Sequence, residues 1–352
     1  MKGKIKFSLV LLAFASALVW SCQQESTDTM VGLEEPLLEV AEVSSQLSSG
    51  IDIDLTGYAS LGYGRPAGVG GRPGGGRPGG RPGFGGGSPF GGGQYGAMIG
   101  AYRDENLRMI TLAGKLGEGI NFWRFKAMGA QVVHYDESGN EVEIDFESRP
   151  ERGFWMEADA PRLSKTVIDF GDGLSLGKGG QMEISGSITI ERSFDDQLIE
   201  TITIDDVSLN GGVVSGTKTI TRTFDAETGE GSQSTSVENG QITFPDGTSA
   251  NWNSQSARSI SIEFDEDGSP ISMSGSNESS MELTSDEAEV IYSTQTLSPI
   301  LISSECMSTR GPRPSGGVVE TIYGDNNITI DFGGCDAQIT IIINGEIITR
   351  DK

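Results

Sequence analysis

The sequence predicts an all-β protein, an antiparallel up-and-down meander of about ten to thirteen strands preceded by a short helix and a disordered glycine-rich spacer. Three observations carry this. From residue 165 to 350 apolar and polar residues alternate with a period of two, as in EISGSITIERSF (183–194), TKTITRTF (217–224) and SISIEF (259–264). Threonine, isoleucine and valine, which favour extended chain, dominate these runs. Turn sequences separate them, and no helical run of useful length intervenes.

The elements follow in order. Strands are expected at 183–194, 198–209, 217–224, 259–264, 289–297, 318–323, 328–332 and 338–343. Turns are expected at 225–229, at Asp246-Gly247 and at 265–268, with Asn344-Gly345 as a strong two-residue hairpin signal. One-sided alternation places one sheet face on a core and leaves the other wet, and the wet positions are rich in Thr and Ser. The meander is expected to curve over its own apolar face. Upstream, residues 129–146 read as a hairpin about 137–140, and 103–116 as either a strand or a short helix.

The N-terminal third reads differently. Lys2, Lys4 and Lys6 precede an apolar run from Phe7 to Trp20 that ends at Val19-Trp20-Ser21-Cys22. The run is shorter than the roughly twenty residues that span a bilayer, and its charged head and small residue before a cysteine mark an export signal. This ending resembles the lipobox of bacterial lipoproteins. The resemblance implies cleavage before Cys22 and acylation there, with more than one acyl chain for stable anchoring. The expected organisation is a signal peptide at 1–21, a polar tether at 22–32, an amphipathic helix at 33–55, a disordered spacer at 56–97 and the all-β domain at 98–352, clearest over 165–350. Within the spacer, residues 62–96 repeat Arg-Pro-Gly-Gly-like units and hold no acid. Glycine entropy and proline's missing donor leave nothing there to bury a core. Arg65, Arg72, Arg77 and Arg81, set among Phe84, Phe90 and Tyr95, are its candidates for contact with anionic polymer or with the acidic body.

Charge and chemistry narrow the function classes. Fifty acidic residues face 25 basic ones, for a net charge of −25. Removing residues 1–21 takes three lysines and no acid, so the exported part is more acidic still. Such a body repels nucleic acid, and no nucleic-acid partner is expected. The chain has one histidine, His134, in an alternating strand where a structural role is expected. No nucleophile elbow, zinc-protease motif or dinucleotide fingerprint occurs. Asp195-Asp196, Asp205-Asp206 and 265–267 supply paired acids, but in turns, where a glycosidase pair facing across a cleft is not expected. The acidic turns at 169–173 and 265–268 suit calcium in ligand type, yet Asp-Gly is also what a hairpin turn requires. Cys306 and Cys335, two cysteines in the C-terminal strands of an exported chain, read as one disulfide closing a loop of about thirty residues.

A family resemblance is carried by KTVIDFGDG (165–173), GSITI (186–190), VSLNG (207–211), VSGTKTI (214–220), ITFPDGT (242–248), the region around Cys306, and Gly334-Cys335-Asp336 before the closing hairpin. These resemble uncharacterised lipoproteins of the Bacteroidota over roughly residues 165–350. Such relatives often carry a further cysteine just after the Asp-Phe-Gly-Asp-Gly motif, where this chain has Leu174. That implies Cys306 and Cys335 are left to each other. The family brings no activity and no cofactor.

The expectation is therefore a non-enzymatic protein lipid-anchored to the outer membrane, on its periplasmic or surface face, with no catalytic or metal site. It would act as a structural or ligand-presenting β domain, with a glycan or an envelope protein as partner. The alternatives are a calcium-stabilised surface adhesin or glycan-binding protein, and a carbohydrate-processing enzyme.

Overall fold

The computed structural model describes residues 35–49, 104–116, 126, 129–144, 162–176, 182–195, 197–225, 227–266, 270–287, 289–308, 311–335 and 338–351. The signal peptide at 1–21, the tether at 22–32 with Cys22, and the spacer at 56–97 lie outside the described residues. Two compact units divide the chain, Met1–Leu38 and Glu39–Lys352, and the sheet belongs to the second.

That sheet is a single antiparallel meander of fifteen strands. The strands are β1 (Gln131–Asp136), β2 (Glu141–Val142), β3 (Leu163–Asp169), β4 (Leu174–Leu176), β5 (Met182–Phe194), β6 (Leu198–Leu209), β7 (Gly212–Asp225) and β8 (Glu230–Thr243). They continue with β9 (Ser249–Phe264), β10 (Pro270–Ser285), β11 (Val290–Ser308), β12 (Gly311–Tyr323), β13 (Asn326–Asp331), β14 (Gln338–Ile343) and β15 (Glu346–Asp351). From β5 to β15 each strand pairs with its predecessor; β3, β1 and β2 follow beyond β5, and β4 pairs with β5.

The strand number exceeds the expected ten to thirteen for a local reason. β8 and β10 carry Ser, Glu and Asn among few apolar residues, and β2 and β4 are very short. Their pairing with neighbours, rather than their own periodicity, makes them strands. The turns are closer to expectation. Asn344-Gly345 has φ of 51° and 87°, the double left-handed conformation that two-residue hairpins need, and Asn210-Gly211, which the turn reading did not include, adopts it too at 51° and 90°.

Bulges cross β5 to β8 in a line. Register shifts lie beside Gly186 in β5, Asp206 in β6, Gly216 in β7 and Gly240 in β8. Gly216 sits at φ 139°, where a Cβ would stand 2.8 Å from Gly240 Cα. A Cβ on Gly240 would in turn meet the backbone and indole of Trp252 in β9. Stacked bulges of this kind bend each strand at the same level.

The inner face holds the core, including Ile168, Ile188, Ile202, Ile220, Ile242, Trp252, Leu283, Val319 and Ile330. Among the described residues two helices lie against it: the Glu39–Ser49 part of α1 (Glu35–Ser49), and α2 (Glu105–Lys115). The second settles the strand-or-helix alternative at 103–116. Asp104 caps α2, its Oδ1 accepting the N–H of Asn106 at 2.8 Å and of Leu107 at 3.3 Å. Tyr323 of β12 donates to Asp104 Oδ2 at 3.1 Å. At the other end, Lys218 Nζ of β7 donates to the carbonyls of Gly114 (3.0 Å) and Leu116 (3.3 Å). A cation on the last carbonyls also matches the helix dipole. α1 docks through Ser44, whose hydroxyl lies 3.0 Å from Tyr292 Oη, and through Ser48, 3.4 Å from Thr294 Oγ1. The helix at 33–55 thus packs on its own domain, and its observed span is shorter.

Trp252 is fully buried and donates its indole N–H to Ser215 O at 3.2 Å. Trp252→Ala should cost about 3–5 kcal/mol in urea unfolding, the range for an aromatic truncated in a core. Ile347→Ala, at a residue 68% exposed, should stay within about 0.5 kcal/mol. Equal losses would mean that the core is not seated on Trp252.

Candidate functional site

Two polar arrays, one on each face of the sheet, are the candidate functional features. Both arise from the same arithmetic. In a strand, side chains two apart share a face, and register then aligns them across neighbouring strands.

The inner array is a chain of buried polar groups. His134 of β1 is 2% exposed, and its Nδ1 lies 3.1 Å from Thr166 Oγ1 of β3. Thr166 Oγ1 also accepts from Arg192 Nη1 of β5 at 3.1 Å. Arg192 Nε donates to Glu200 Oε1 of β6 at 2.9 Å, and Arg222 Nη1 of β7 donates to Glu200 Oε2. Arg222 Nε then reaches Gln233 Oε1 of β8 at 3.0 Å. Register carries the array on through Arg258 of β9 to Asn277 of β10, directly opposite one another. Asn277 Nδ2 donates to Ser48 O of α1, so the array ends on a helix.

The electrostatics follow from burial. Desolvation by itself would raise the Glu200 carboxyl, but Arg222 and Arg192 more than offset it and hold the group below its ordinary value. For His134, burial acts first and the charges of Arg192 and Lys126 add to it, bringing the imidazole down to about 4. It is neutral at ordinary pH, and the proton of the Thr166 hydroxyl is left for Nδ1 while the oxygen accepts from Arg192. His134 is therefore a packed, hydrogen-bonded residue of the sheet, as its strand position predicts.

The outer array is a row of cross-strand neighbours. Paired positions run Tyr135, Lys165, Glu191, Thr201, Thr219, Ser236, Gln255, Ser280, Gln295, Glu320 and Thr329, then Ile342 and Ile347. The row crosses β1, β3 and every strand from β5 to β15, one residue each, at roughly 4.8 Å per strand. From β6 to β11 it is uncharged and made only of hydroxyls and amides. At its start Lys165 Nζ and Glu191 Oε1 pair at 3.2 Å. Beside them Tyr135, Gly139, Ser164 and Val167 complete an open concavity of about 540 Å³.

Other residues singled out in the sequence are distributed as follows. Cys306 and Cys335 stand at disulfide spacing, with Cα atoms 5.1 Å apart. Asp205 and Asp206 are exposed at the β6 bulge, with Asp206 at φ 47°. Asp265 and Glu266 are exposed, while Asp196 and Asp267 lie outside the described residues. The turn acids serve their own backbone: Asp169, Asp225 and Asp246 each accept a main-chain N–H at 2.8 Å. Among the described residues no three His, Cys, Asp or Glu side chains gather as metal ligands.

The inner array had a signal in the sequence. Arg192 shares parity with Ile188 and Ile190, Arg222 with Ile220, and Arg258 with Ile260 and Ile262. A cation on the apolar parity of three strands marks a buried polar array, because isolated buried charge is too costly to persist. Comparison with known proteins finds no matching family model, no matching curated protein and no matching solved structure.

Both shifted groups make acid destabilising. The folded His134 pKa lies below its unfolded value, so its contribution is complete above about 6.5 and is lost as pH falls towards 4. Being the only histidine, it should set the slope of stability in that window, up to about 2–3 kcal/mol, and His134→Gln should flatten it. Glu200→Gln should cost about 3–5 kcal/mol by leaving two guanidiniums without their shared carboxylate. Replacing Arg192, Glu200 and Arg222 together by Met, Leu and Met should cost less than the single change. Urea titrations at several pH values measure both effects, and an unchanged slope in His134→Gln would refute the first.

Proposed function

We propose that this protein is an outer-membrane lipoprotein of the kind residues 165–350 resemble, anchored by acyl chains on Cys22. Its β domain would act without catalysis, as a structural or ligand-presenting body in the cell envelope. The observation that carries the reading is the outer row from Tyr135 to Thr329. It offers hydroxyl and amide groups in register on a face that the core does not use. A ladder-bonded sheet keeps such groups at fixed spacing, and a binding surface needs that pre-organisation.

The anchor has separate support. A basic n-region, a short apolar run and Ser21-Cys22 are followed by a polar tether and a glycine-rich spacer. A spacer of that composition lets a domain stand off a lipid surface, by roughly 30–35 Å if it behaves as a flexible chain. The acidic body would be repelled by anionic lipid, so the acyl group rather than the domain surface would hold it there.

The deciding experiment is metabolic labelling with a clickable palmitate analogue and membrane fractionation of wild type and Cys22→Ser. Wild type should be labelled and sediment with membranes. The variant should be unlabelled and either keep its signal peptide or turn soluble. Equal labelling of the two would refute the anchor.

A further inference from the structure

We propose that the concavity at the start of the outer row is a saccharide-binding site, and that the row extending from it accepts a neutral glycan chain. The proposal rests on the ligand-presenting reading above, but not on the anchor.

The lining selects this chemistry by elimination. Tyr135 and Val167 supply apolar surface at the concavity, while Lys165 and Glu191 supply a donor and an acceptor side by side. Lys165 and Glu191 neutralise each other at 3.2 Å, and Glu141, directly opposite Tyr135, leaves the surroundings acidic, so a free anion is disfavoured. An apolar ligand is equally ill-matched, because it would bury the ion pair without replacing its hydration. A pyranose fits both needs. Its C–H face can lie on the aromatic ring, and neighbouring hydroxyls can accept from the ammonium and donate to the carboxylate. The side chains of Lys165 and Glu191 are 41% and 58% exposed, so the pair is within reach of a ligand.

The continuation specifies a polymer and its charge. From Thr201 to Gln295 the row has no ionised group, and each member both donates and accepts. A polyanion would gain no ionic contact there and would meet the field of a chain with net charge −25. A neutral glycan meets no such penalty. Groups about one strand spacing apart can engage successive sugar units in a stretched chain.

The test uses full-length protein in a polyoxyethylene detergent, which carries no sugar to compete. Native gels are cast with hydroxyethylcellulose, galactomannan or arabinoxylan, and with alginate as the polyanionic control. Wild type should be retarded by at least one neutral polymer and not by alginate. Tyr135→Ala should weaken retardation about tenfold, and Glu191→Gln and Lys165→Gln several-fold, with unchanged circular dichroism. Tyr135→Phe, which keeps the ring, should stay close to wild type and guards against a folding defect in the alanine variant. The proposal is overturned if no neutral polymer retards wild type, if alginate alone does, or if Tyr135→Ala migrates like wild type. Failure here leaves Cys22 labelling intact, and failure of labelling leaves retardation intact, so the two readings fall separately.

Discussion

Among the described residues every strand belongs to one sheet, so its apolar face has no second sheet to pack against, and this constraint organises the rest of the structure. Helix α2 answers it by lying on the inner face with both ends tied down. Tyr323 holds its N-cap acid and Lys218 holds its last carbonyls, from strands β12 and β7 that are far apart in the meander order. α1 adds a second cover through Ser44 and Ser48. Most of these contacts are hydrogen bonds from buried polar groups, so they specify where each helix sits as well as covering apolar area. Leaving any of them unpaired would carry the desolvation cost of a buried polar group.

The same need explains the buried charges. Arg192, Glu200 and Arg222 contribute little net stability as a group compared with apolar residues of similar volume. Each is nevertheless tied to a partner on the next strand, and an array of directional bonds penalises a slipped register that a greasy face would tolerate. β8 and β10 need this most, since their serine-rich sequences hold little apolar pattern of their own. The line of bulges from Gly186 to Gly240 works alongside it, because each bulge meets its neighbour across the strand and cannot move by itself.

The outer face depends on that inner register without touching it. Tyr135, Lys165 and Glu191 meet because β1, β3 and β5 pair in one alignment, and a one-residue slip of any of these strands would send its member to the other face. A ligand surface on a meander is therefore only as exact as the core beneath it. This links a stability feature, the polar array, to the proposed saccharide row.

Much of the architecture was legible in the residues themselves. Period-two alternation in β5, β6, β7 and β14, the Asn344-Gly345 hairpin and the early amphipathic helix follow from short-range chemistry, which a sequence states directly. The polar residues on apolar parity were equally visible as a signal. What the tertiary structure alone decided is which of them meet. Glu200 lies between Arg192 and Arg222, Tyr135 stands opposite Lys165, and Asp104 receives Tyr323. Those meetings depend on cross-strand register and on where a helix crosses the sheet. Both are set by bulges and by contacts between residues distant in the chain, which local periodicity does not encode.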